Sequence, residues 1–113
     1  MNNDSDAYER ILTTKGISLQ ALGLGDVALG RAETLSAIQV LKVQSVAILG
    51  GDVYVERNGK IEVGYANWHV DRDAGENSAE FAARSCLRAE QYVENFPHRA
   101  GEIPLFVLVV SSA

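Results

Sequence analysis

A chain of 113 residues with 47% hydrophobic and 22% charged residues suits one globular domain, 1–113, with a buried core, and has no room for a nucleotide domain beside a substrate domain. Its net charge of −5 and pI near 4.9 argue against nucleic-acid or membrane partners, which need positive charge, and fit a basic protein partner. Cys86 is the only cysteine, so the fold has no internal disulfide and stands on packing.

The opening MNNDSDAYER is acidic where a secretory signal is basic and then apolar, so a cytoplasmic address is expected. Residues 6–14 carry Tyr8, Ile11 and Leu12 at helical spacing, and Gly16 supplies a stop. Next comes GLGDVALGRAE, in which Gly23, Gly25 and Ala28 fit the G-x-G-x-x-A form of the dinucleotide fingerprint. That motif works only where a parallel strand turns directly into a helix whose N-terminus faces the pyrophosphate. Here the preceding strand would be ISLQAL, short and carrying Gln20, and the segment after the following helix runs into hairpins. The glycines therefore read as a surface turn, with Asp26 placed to bond nearby backbone N–H groups, and no cofactor is expected.

Residues 30–43 repeat Leu35, Ile38 and Leu41 on one side, a helical period. Val46 to Leu49 forms an apolar, β-branched run, expected as a strand covered on both faces. In DVYVERNGKIEV, two alternating runs flank Asn58-Gly59, the pair favoured in a two-residue hairpin turn. Gly50-Gly51 upstream reads as a second tight turn, with a bulge in one bent strand as the alternative. Residues 65–75 lack a sustained period and read as a loop. Asn77 and Glu80 then form a capping box for a helix to about Phe96, with Ala82, Ser85, Cys86, Ala89, Tyr92, Val93 and Phe96 as its apolar stripe. Pro97 closes it, and Leu105 to Val110 makes a wholly apolar strand suited to the centre of a sheet. The expected fold is α+β: a small mixed four-stranded sheet with a hairpin meander, a central C-terminal strand and helices packed on it. The long helix would act as a crossover.

YANWHVDRDAGE gathers the only tryptophan with Tyr65, His69, Asp71, Asp73 and Glu76. As a metal or acid–base site, His69, Asp71 and Asp73 match no defined ligand spacing, and no metal is expected. Cys86 and Ser85 lie on the apolar stripe with no histidine nearby in sequence, and His98 follows Pro97 in a polar loop, so no catalytic residue is assigned. As a contact surface, Tyr65 and Trp68 are typical anchors and the carboxylates suit a basic partner. The competing reading folds Trp68 onto the core and leaves the acids solvated.

Together GLGDVALGRAE, VAILGGDVYV, the Asn-Gly hairpin, YANWHVDRDAGE and PLFVLVVS resemble the immunity protein 40 family of bacterial polymorphic toxin systems, over about residues 16–110. The resemblance implies a small α+β protein, encoded beside a secreted toxin, that binds the cognate toxin and catalyses nothing. It carries over no catalytic residue, and its nearest shared patch is Trp68, His69 and Asp71. The candidate partner-binding residues are thus Tyr65, Trp68, His69, Asp71, Asp73 and Glu76. A small enzyme using His69, Asp71 and Asp73, or an assembly subunit pairing through a sheet edge, are the alternatives.

Overall fold

Short-range chemistry sets most of the element ends. In the computed structural model, which describes residues 7–111, helix α1 spans Ala7–Lys15 and stops where the Gly16 N–H bonds the Leu12 carbonyl at 3.0 Å. Residue 6, where this helix was expected to start, lies outside the described residues, as does most of the acidic opening. Helix α2 spans Arg31–Val43 and α3 spans Ser78–Asn95. The capping box of α3 is formed in both directions: Asn77 accepts from the Glu80 N–H at 2.8 Å, and Glu80 from the Asn77 N–H at 2.9 Å. Strands β3 (Ile48–Arg57) and β4 (Lys60–His69) make the hairpin, turning through Asn58 and Gly59 at φ 55° and 76°. Positive φ at both positions is the type I′ geometry, which glycine adopts at no steric cost.

Three sequence expectations give way here. The segment read as a surface turn before a helix at 30 instead continues into strand β2 (Val27–Gly30), which pairs with the two-residue β1 (Ile17–Ser18) on one side. The dinucleotide motif thus runs into a strand before α2 begins at Arg31. Asp26 contributes to the turn through its backbone carbonyl, which accepts from the Leu19 N–H at 3.3 Å. Gly50-Gly51 is not a tight turn: β3 runs through it, with a register irregularity between Ile48 and Gly50. Residues 65–69 belong to β4 rather than to a loop.

The sheet has five strands in the order β1-β2-β5-β3-β4, and every neighbouring pair is antiparallel, where four mixed strands were expected. Strand β5 (Ile103–Val110) is central, as its unbroken apolar sequence requires. Helix α3 does act as a crossover, but it carries the chain past one strand, so β4 and β5 run the same way with β3 between them. Helix α2 does the same from β2 to β3, around β5.

One sheet face lies under the helices. Ile48, Val53, Trp68, Phe106 and Leu108 pack there with Ala37, Ile38 and Leu41 of α2 and Phe81, Cys86, Ala89 and Val93 of α3. No cation of α3 lies in its last turn, where the C-terminal carbonyls want one. Arg31, at the start of α2, meets that need by donating to the carbonyls of Val93, Glu94 and Phe96. The opposite face is covered only in part. Leu19, Leu22 and Leu24 of the 19–24 turn lie against Tyr54, Leu105, Val107 and Ile61. Among the described residues, no helix is long and apolar enough to cross a membrane.

Candidate partner-binding surface

The segment that gathers the candidate residues begins with a distortion in β4. Val53 pairs with Ala66 but Tyr54 with Val63, so Gly64 and Tyr65 are extra residues in the ladder. Tyr65 takes φ 55° and stands 93% exposed. A non-glycine residue at positive φ costs free energy that the surrounding ladder must offset.

Beyond the bulge the pleat divides the candidates between two faces. Trp68 turns inward, stacks on Tyr92 with ring centroids 4.4 Å apart, and is buried. Its indole lies over Gly51, where a Cβ would also come within 2.6 Å of the Val107 carbonyl oxygen. The second glycine of the pair is therefore the floor on which the tryptophan rests. Among the described residues, the buried Trp68 Nε1–H has no acceptor. His69 turns outward, with Nε2 at 3.5 Å from Asp71 Oδ2 and both side chains largely solvated.

The rest of the segment is tied to α3 by Arg84. Its guanidinium bonds both Glu76 oxygens, at 2.7 and 2.8 Å, and the Asp71 carbonyl at 2.6 Å. Asp73 Oδ2 lies 3.7 Å from the same group, and the Asp73 N–H bonds Glu76 at 2.9 Å. These hydrogen bonds, those from Arg84 first, hold the Glu76 carboxyl at about 2. Arg72 and Arg84 sit over the Phe81 ring at 5.3 and 5.7 Å. Of the six candidates, Tyr65, His69, Asp71 and Asp73 therefore face solvent, while Trp68 and Glu76 hold the segment in place.

Little here is arranged for covalent or metal chemistry. Asp73 lies beside Arg84 rather than joining His69 and Asp71, and among the described residues no three His, Cys, Asp or Glu side chains converge. Burial pushes the Cys86 thiol up, away from the reactive thiolate, and its Sγ bonds the Val46 carbonyl at 3.4 Å.

Sequence reading missed the neighbours of His69 on the outer sheet face. Val109 of β5 pairs with Gly50 opposite His69, and Asp52 stands between Asn67 and Val107. With Leu49 and Asp71 these residues line a shallow depression of about 470 Å³. Burial first, then the carboxylates of Asp52 and Asp26, push the Tyr54 phenol above its ordinary value. The alternation Asp52, Tyr54, Glu56 in the hairpin was the available signal for this face.

The segment is thus a solvent-facing polar stretch tethered to a compact α+β scaffold. Residues 18–110 match the family model described as Immunity protein 40, and the chain belongs to that family. No curated protein and no solved structure matches it.

Proposed function

We propose that the chain, as one domain over 1–113, is an immunity protein that binds and neutralises a cognate toxin of a polymorphic toxin system, inside the cytoplasm of the producing cell. The observation that carries this reading is the family match across residues 18–110. It needs no cofactor and no catalysis: occlusion of the toxin is sufficient. The contact surface includes Tyr65, His69, Asp71 and Asp73, with Trp68 and Glu76 fixing the segment so that little order is lost on binding. Support comes from the solvent exposure of the first four and from the Arg84 clamp on Asp71, Asp73 and Glu76.

Co-expression with the toxin domain encoded beside this gene is the test. Cells should survive, and the two chains should co-purify as a stoichiometric complex. Death of the cells at full expression of folded protein, with no complex recovered, would overturn the reading.

A further inference from the structure

We propose that the uncovered half of the outer sheet face is the seat for the partner, and that the partner surface it takes is basic around an apolar patch. This rests on the toxin-binding reading and specifies where and to what chemistry the chain binds.

The first observation is an uncovered apolar patch at one end of the interior strands. The 19–24 turn shields the outer face around Tyr54, Leu105 and Ile61, but leaves Leu49 37% and Val109 45% exposed. These residues belong to β3 and β5, interior strands with a neighbour on each side, not to the sheet edge. A sheet face normally buries its apolar residues against another layer, and here the layer stops halfway.

The second observation is the sign of the charge around that gap. Asp52 and Asp71 line the depression with Leu49, Asn67, His69 and Val109, and a third acid, Asp26, belongs to the turn packed on Tyr54, its carbonyl bonded to the Leu19 N–H. Five of the ten cations are placed away from it. Arg31, Arg72 and Arg84 work on the helical side, Arg57 is tied to Glu62 and Glu102, and Lys42 lies near Cys86. Carboxylates beside exposed aliphatic side chains are complementary to Lys or Arg side chains around an apolar patch. Like-signed partners would be repelled. The surface is also continuous with His69 and Asp71, so it enlarges the proposed contact segment rather than competing with it.

The third observation is rigidity. The floor of the depression is paired strand on both sides of Gly51, backed by the Trp68–Tyr92 stack. A preorganised platform spends less free energy on ordering when a partner docks.

The test measures association of purified protein with the adjacent toxin domain for three variants whose folding is checked by thermal melting. Asp26→Lys with Asp52→Lys should slow association about tenfold or more at low salt and flatten its salt dependence. Asp52→Asn should give a smaller loss in the same direction. Glu33→Lys with Glu94→Lys, the same charge change on the helical side, should leave association within about twofold, because screening cuts off distant charges. Unchanged association of folded Asp26→Lys/Asp52→Lys, with wild type still binding, overturns the placement while toxin binding stands. Failure of wild type to bind removes both readings. A concentration-dependent doubling of solution mass in the toxin-free protein, abolished by Asp26→Lys/Asp52→Lys, assigns the face to a second copy of this chain and also overturns the proposal.

Discussion

Ser85 shows how much one small side chain carries. It is fully buried, accepts a hydrogen bond from the Ile48 N–H at 3.0 Å and donates to the Ala82 carbonyl at 3.1 Å. The entry of β3 is thereby bonded to the middle of α3. Ser85→Ala is expected to destabilise the fold by about 1–3 kcal/mol, because it strands a buried N–H. An unchanged denaturant midpoint would show that the amide finds another acceptor. The position of Ser85 on the apolar stripe was legible in sequence, but its bond was not, because the acceptor's partner lies 37 residues away. Trp68 was ambiguous for a different reason. The pattern Ala66, Trp68, Val70 against Asn67, His69, Asp71 does alternate, as a strand should. The two extra residues at Gly64 and Tyr65 cut it off from the hairpin, so the run looks like an isolated polar loop.

At the scale of elements, features closed by a few neighbouring residues were the readable ones. The Asn-Gly turn and the Asn77–Glu80 box stand where the sequence put them. Gly59→Val should destabilise the hairpin by roughly 1–3 kcal/mol, since a β-branched residue resists positive φ. A melting curve that superposes on wild type would contradict the observed turn. Strand β2 was not readable, because it has four residues and joins β5 through only the Leu29–Phe106 and Gly30–Leu105 pairs. The bond between the 71–76 segment and α3 has its own pH signature. Glu76 is held at about 2, below its ordinary 4.5, so the folded state favours its ionised form. Its contribution is complete above about 4.5 and disappears as pH falls through about 2. The Glu76 carboxyl resonance in an NMR titration should therefore stay ionised at pH 4. A midpoint near 4.5 would mean that the Arg84 clamp is open in solution.

For the whole molecule, the fold class was legible from the order of apolar runs, while the strand order was not. Nothing in a run of apolar residues names its neighbours, and here both crossovers step over a strand. The topology makes stability uneven. Strands β3 and β5 share eight paired positions beneath the helices, whereas β1 meets β2 at two. Amide exchange should be slowest in β5 and the adjoining half of β3, and fastest in β1 and the 19–24 turn, because protection follows burial and cooperative pairing. Equal rates throughout would show that the sheet opens only as a unit.

The central place of β5 also imposes a timetable. Among the described residues it follows the other strands in chain order, yet within the sheet it joins β2 on one side to β3 on the other. Until residues 103–110 are made, the β3–β4 hairpin and the β1–β2 pair have no strand to join them within the sheet. The sheet closes when the final strand slides between them. During synthesis, then, a ribosome stalled before Ile103 yields a chain whose two half-sheets have no strand to join them.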